Sequence, residues 1–261
     1  LADGDTVVLK DTQGLRYVIP AADIEGRSKQ TLSTMPQGVA LGVGAQGIAD
    51  IVAFLSDDPE AKPIYGPPVR LFNGKDLEGW THFLSDPKVK PEDVWTVEAD
   101  GVLRCEGRPA GYLRTLEDYT NFTLTLEWRF GAEGRPGNSG VLLRAIGEDK
   151  VWPRSIEAQL NHRDAGDLWN IDKFPMETDA QRLSGRRTAK LAPSSEKPLG
   201  EWNRYELTLD RGELTLVVNG VLQNTASWCA EVPGKICHQS EGAEIFFRDI
   251  QLQPIIGHAP R

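Results

Sequence analysis

Residues 121–161, NFTLTLEWRFGAEGRPGNSGVLLRAIGEDKVWPRSIEAQLN, contain three strand-like segments with charged and amide side chains on one side. In the first, Phe122, Leu124, Leu126, Trp128 and Phe130 alternate with Thr123, Thr125, Glu127 and Arg129. That period of two sends successive side chains to opposite faces of a sheet. In the second, Val141, Leu143 and Ala145 alternate with Leu142 and Arg144; in the third, Ile156, Ala158 and Leu160 alternate with Glu157, Gln159 and Asn161. If these strands share one sheet, Glu127, Arg129, Arg144, Glu157 and Gln159 converge on one surface. The competing reading is an idle, solvated face, since antiparallel sheets commonly turn one side to water. Two features favour a ligand site. The polar side mixes carboxylates with arginines and an amide, and arginine holds oxygen ligands bidentately. The connection from Gly131 to Gly140 is also glycine-rich and ends in an Asn138-Ser139-Gly140 corner, which lets backbone approach a ligand closely.

Outward from this stretch, short strand-like runs recur between Gly, Pro and Asn: VWTVEADGVLRCEG, YLRTL, WNRYELTLD, ELTLVVNGVLQ and EIFFRDIQLQPI. Their number and spacing predict a mainly β chain folded as a sandwich. Ala99-Asp100-Gly101 and Val218-Asn219-Gly220-Val221 read as tight hairpin turns, because Asp-Gly and Asn-Gly supply the positive φ such turns need. Residues 164–198 show little alternation and read as long loops over one face. Towards the N-terminus, residues 57–68 are rich in proline and acid and read as a linker. Before it, residues 5–19 read as a hairpin, and 44–55, GAQGIADIVAFL, as a helix with Ile48, Ile51, Val52 and Leu55 on one side.

The chain has 261 residues, enough for one large domain with an appendage. A net charge of −9 and a pI near 5.1, with no Lys/Arg cluster, argue against nucleic acid and leave neutral polar ligands open. Mean hydropathy is −0.38 and no run of eighteen apolar residues exists, so no membrane-spanning helix is expected. The opening LADGDTVVLK lacks the basic start and apolar centre of a signal peptide and reads as a mature or trimmed end. Cys105, Cys229 and Cys237 show no zinc spacing. Cys229 and Cys237 flank a Pro233-Gly234 turn, which permits a disulfide or two buried thiols; the expectation is a bridge, with Cys105 buried and free.

The ordered set LFNGKDLEGW (71–80), WTVEADGVLRCEG (95–107), FTLTLEWRF (122–130), GNSGVLLRA (137–145), SIEAQL (155–160), EWNRYELTL (201–209), VVNGVL (217–222) and GKICHQSEGAEIFFRDIQLQP (234–254) resembles the 3-keto-disaccharide hydrolase domain family, over about residues 69–256. The resemblance implies a concanavalin-like jelly roll, a bacterial periplasmic or secreted setting, and action on oxidised glycosides. It carries Glu127, Arg129, Asn138, Arg144, Glu157 and Gln159 over to family positions, and Gln239 and Glu241 to a further motif near the end. The family's usual residues are replaced at His238, Phe246 and Leu168-Trp169; Trp169 is offered to a sugar face or to simple packing. Residues 1–56 are similar to the C-terminal part of cytochrome-c-like haem-binding domains, with Met35-Pro36 before the last helix. No CxxCH occurs, so covalent haem is excluded, and Met35 reads as a packed methionine.

The function so implied is cleavage of 3-keto-glycosides. A C3 ketone acidifies the C2 hydrogen; a carboxylate removes it, cationic or amide groups stabilise the enolate, and the C1 group departs. Glu157 or Glu127 is the candidate base, Arg129 and Arg144 the stabilisers, and Asn138, Gln159 and Gln239 the hydroxyl holders. A cation held by such oxygens would be calcium, magnesium or manganese. A direct two-carboxylate glycosidase, a non-catalytic carbohydrate-binding sandwich and an interaction domain of a larger assembly are the alternatives.

Overall fold

The computed structural model describes residues 2–3, 6–10, 16–26, 61–131 and 135–259. The chain divides into residues 1–61 with 260–261, and Lys62–Ala259. In the first unit Thr6–Lys10 pairs antiparallel with Arg16–Pro20, the hairpin expected from sequence, and Ala2–Asp3 adds to its edge. The helix expected at 44–55 and Met35 lie outside the described residues.

The second unit is a jelly-roll sandwich of two antiparallel sheets. Among the described residues, one sheet has nine strands in the order Val221–Ala226, Glu213–Val218, Asn203–Asp210, Phe122–Phe130, Ile245–Ala259, Leu103–Cys105 and Trp95–Val97, with Lys62–Tyr65 and Val69–Arg70 also pairing to Ile245–Ala259. The other has eight, ordered Leu183–Ser184, Arg187–Thr188, Leu168–Ile171, Arg154–Gln159, Gly140–Ile146, Lys235–Ser240, Gly111–Thr115 and Trp80–Leu84. The compact unit thus begins at Lys62, inside the stretch that composition marks as a linker. The 164–198 segment is not all loop: it supplies three short strands at the edge of the eight-stranded sheet.

The alternating apolar residues meet between the sheets. Phe122, Leu124, Leu126, Trp128 and Phe130 from one face Val141, Leu143, Ile156, Ala158 and Leu160 from the other, all buried. Full burial of such a side chain contributes about 1.5–3 kcal/mol, so the alternation fixes which side of each strand turns inward. The Asn219-Gly220 turn takes φ of 50° and 80°, with Val218 paired to Val221, the left-handed pair that a two-residue hairpin requires.

Candidate active site

The three polar strand sides do not meet on one surface. Phe122–Phe130 lies in the nine-stranded sheet, whereas Gly140–Ile146 and Arg154–Gln159 lie in the eight-stranded one. Glu127 and Arg129 therefore face outward on the far side of the sandwich from Glu157 and Gln159, with both sheets and the core between. There Glu127 accepts from Arg248 Nε at 2.7 Å and Nη2 at 2.6 Å, and Arg129 lies over Trp202 and Phe246 at 4.9 and 5.1 Å.

Arg144 is also absent from the Glu157 surface. The ladders on both sides of its strand shift register across it, and its φ is +49°. The bulge flips the parity of the strand, so that Leu142 and Ala145, three apart, fall in one outer cluster. The fully buried Arg144 guanidinium donates instead to Thr120 O (2.6 and 2.9 Å), Ala230 O (2.7 Å), Cys229 O (3.3 Å) and Asn121 Oδ1 (3.0 Å). It ties two connections to the sheet, the one leading into Phe122–Phe130 and the one leading into Lys235–Ser240. Burial pulls its pKa down. The expected disulfide is not formed: all three cysteines are free and buried. Cys229 packs in the inter-sheet core and Cys237 on the outer side of its sheet with Tyr112, Leu142 and Ala145, so the two thiols lie in different layers. Burial pushes the Cys105 thiol up to about 11 and Cys229 up to about 12, which keeps both protonated.

The outer face of the eight-stranded sheet gathers the remaining candidates. Strand register sets them in two rows. One runs Phe83, Tyr112, Gln239, Gly140 and Gln159; the next runs Arg114, Cys237, Leu142, Glu157 and Trp169. Gly140 is the floor between Gln239 and Glu157. A Cβ there would run into Gln239 Oε1 and lie 2.7 Å from Glu157 Oε1, so only glycine lets both side chains lean over this point. The pairing continues before Gly140, with Leu160 N donating to Ser139 O and His162 N to Gly137 O, which places Asn138 on the same side two residues on. Gln159 Oε1 is occupied by Leu160 N and Asn161 N (2.9 and 2.8 Å).

Several polar atoms here are buried and have no partner among the described residues: Gln239 Oε1, Asn138 Oδ1, Glu241 Oε2 and Trp169 Nε1. Buried polar groups in folded proteins are nearly always bonded, so a cluster of orphans marks a place where a ligand completes the set. Three of the four are acceptors, calling for hydroxyls or a hard cation. Glu157 is only 5% exposed. Its burial, then the charge of Glu241, raise its pKa to about 8, against a weaker lowering by Arg186. Glu241 is raised as well, by burial, and its Oε1 accepts from Trp152 Nε1 at 3.4 Å. Among the described residues no three His, Cys, Asp or Glu side chains form a metal site. The all-oxygen donors of Glu157, Glu241, Asn138 and Gln239 suit calcium, magnesium or manganese better than zinc.

Two residues at this face escaped the sequence reading. Arg186 follows Gly185 in the 164–198 segment, where no periodicity signalled a strand; it lies over the Trp169 ring at 5.6 Å and is the cation that acts on Glu157. Trp152 sits in the connection before Arg154–Gln159. Its only signal was an aromatic in a short polar loop leading into a site strand.

Residues 67–253 match the 3-keto-alpha-glucoside-1,2-lyase-like domain. A 3-keto-disaccharide hydrolase of Bacteroides thetaiotaomicron is 26% identical over 167 residues, 55% of this chain and 53% of that protein, so the chain spans about half the length of this relative. A provisionally assigned glycosyl hydrolase of Parabacteroides distasonis shares the fold with a TM-score of 0.52 at 24% identity, over 73% of this chain and 94% of that one. The laminarinase of Rhodothermus marinus does so with 0.52 at 10% identity, over 75% and 99%. The family match begins at residue 67, and the comparisons give the cytochrome-c-like resemblance no support. With the match covering most of the sandwich, the chain belongs to the 3-keto-alpha-glucoside-1,2-lyase-like domain family.

Proposed function

We propose that the protein cleaves 3-keto-glycosides at the outer face of the eight-stranded sheet, with Glu157 as the base that removes the C2 proton. The observation that carries this reading is the buried carboxyl of Glu157, which leans over Gly140 beside Gln239, feels the charge of Glu241 and is ringed by unpaired acceptors. A carboxyl in an apolar, like-charged setting is a stronger base than one in water, and a base works best when its pKa lies near the working pH. Removal of the C2 proton gives an enolate; the electron pair then forms the C1–C2 double bond and expels the C1 oxygen, which takes up a proton. Addition of water across that double bond afterwards amounts to net hydrolysis.

With Glu127, Arg129 and Arg144 elsewhere, the electrostatic roles pass to other groups. Arg186 and Trp169 Nε1 are the donors at this face, and Asn138, Gln159 and Gln239 hold hydroxyls. A divalent cation bound by the carboxylate and amide oxygens would supply Lewis acidity towards the enolate oxygen. The test is incubation with 3-keto-glucosides and their parent glycosides, with and without chelator, following release of the C1 group. Release from the keto forms alone is expected; release from the parent glycosides at equal rates would overturn the mechanism.

A further inference from the structure

On the far side of the sandwich from Glu157, the outer face of the nine-stranded sheet carries a second constellation. Arg104 pairs with Phe246 and Phe246 with Arg129 across neighbouring strands, and Trp202 precedes Asn203, the partner of Trp128. This register sets the Arg129 guanidinium between two rings, 4.9 Å from the Trp202 centroid and 5.1 Å from that of Phe246, and Arg248 lies over Trp202 at 4.1 Å. Aromatic faces hold a guanidinium by its flat sides and leave its N–H edge for a ligand. Both cationic neighbours have carboxylates: Arg104 meets Glu106 at 2.7 Å and Glu244 at 2.6 Å, and Arg248 meets Glu127 at 2.6 Å. Arg129 has no such partner among the described residues, and its Nε is buried without a hydrogen bond. Beside it opens a depression of about 390 Å³, lined also by Phe246, Val102, Arg104, Glu98 and Asp100. Glu98 and Asp100 stand on a fixed turn, in which Gly101 N donates to Glu98 O (2.9 Å) and Val102 N to Asp100 Oδ1 (3.3 Å).

We infer that this depression binds an acidic sugar, a pyranose ring bearing a carboxylate at C5, apart from any cleavage at Glu157. Arg129 calls for the carboxylate. Buried donors in folded proteins are nearly always bonded, and a guanidinium edge matches a carboxylate bidentately. Glu98 and Asp100 call for donors: they would repel a bare anion, whereas ring hydroxyls satisfy them by donating. The spacing selects a ring. Glu98 follows the strand Trp95–Val97, which lies three along from that of Arg129, roughly 14 Å in the pairing direction. The two aromatic rings keep the guanidinium over its own strand, so the charges stay farther apart than the carboxylate and ammonium of an amino acid. They match opposite ends of a ring, a C5 carboxylate and the C2 and C3 hydroxyls, with Phe246 and Val102 as apolar lining for its C–H groups. Size agrees, since ligand cavities run from about 300 to 1,000 Å³ and a single ring needs the lower end.

The test is an NMR titration of the full chain with D-glucuronate, D-glucose, acetate and glycine. Glucuronate is expected to bind about tenfold or more tightly than any of the other three, which is what one charge-assisted hydrogen bond contributes. Arg129→Met, which keeps an apolar filling between the rings, should bring glucuronate down to the level of glucose. Glu98→Ala, at an exposed position, should weaken glucuronate severalfold and leave acetate no weaker, because it removes a hydroxyl acceptor and a repelling charge together. This second variant decides the matter where Arg129→Met does not fold. Glucose, acetate or glycine binding as tightly as glucuronate, glucuronate binding unchanged in either variant, or no binding at all overturns the proposal. So does loss of glucuronate binding in Glu157→Gln, which would put the ring on the other face. A disaccharide ending in glucuronate, titrated in parallel, separates the two sources of such a ring: tighter binding than the monosaccharide assigns the end of an acidic glycan, equal or weaker binding the free sugar acid.

Discussion

Glu241 raises the pKa of Glu157, so the two carboxyls of the outer face resist ionising together. Burial is the larger cause for each, and Trp152 partly relieves Glu241 by donating to it. Gly140, on the strand between theirs, has no side chain to push Glu157 away from Gln239, two residues before Glu241.

Glu157→Gln should lower turnover of a 3-keto-glycoside by about 10² to 10⁴-fold, the usual contribution of a placed base. The pH profile assigns the role. A base with its pKa near 8 gives kcat/KM that rises as pH passes through 8, whereas an acid gives a fall over the same interval. A fall would move the base assignment to Glu241. Glu127→Gln, on the opposite outer face, should leave both rate and profile unchanged.

The same substitution should stabilise the fold at alkaline pH. Glu157 has a folded pKa of about 8 against 4.5 in an open chain, so folding opposes its ionisation. Below 4.5 both states are protonated and there is no cost; the cost grows between 4.5 and 8 and is constant above. At about 1.4 kcal/mol per pKa unit the penalty near pH 8 is a few kcal/mol. Denaturant titrations of Glu157→Gln and the unaltered chain should agree at pH 4 and diverge by several kcal/mol, up to about 5, at pH 8.5, with the variant more stable. Parallel curves would refute the buried-carboxyl account.

Arg144→Lys should destabilise the sandwich by about 3 kcal/mol or more, because one ammonium cannot satisfy the acceptors that the guanidinium fork reaches in two loops. Chemical unfolding measures this. The folded fraction should keep the KM and pH profile of the unaltered chain, which separates a structural role from the stabiliser role expected from sequence.

His238 lies fully buried between Trp80 and Phe247, with neither ring nitrogen bonded among the described residues, and burial pulls its pKa down to about 3. The folded state keeps it neutral while the unfolded chain protonates below about 6.5, so stability is lost as pH falls from 6.5 towards 3. His238→Leu should stabilise the chain by about 1–3 kcal/mol at pH 7 and by more at pH 5. A thermal unfolding series across that range gives the difference. A variant no more stable at pH 5 than at pH 7 would contradict it.

By itself, the sequence determined the longer strands, their inward sides up to the bulge at Arg144, the Asn219-Gly220 turn and the family. These are local: alternation of period two, and the positive φ of two adjacent residues, act within a few positions. Motif order then carried Glu157, Gln239 and Glu241 together across 84 residues of chain. What only the tertiary structure decided is which polar sides share a face. Alternation says which side of its own sheet a residue occupies, not which sheet its strand joins. Phe122–Phe130 pairs with Asn203–Asp210 and Ile245–Ala259, far along the chain, and this puts Glu127 and Arg129 on the opposite outer face from Glu157. Arg144 was misplaced for a second reason: one extra residue in a strand reverses every later side, and a bulge with φ of +49° at an arginine has no sequence signal. Arg186 and Trp152 reach the site from irregular connections, where periodicity has nothing to say and position follows from packing alone.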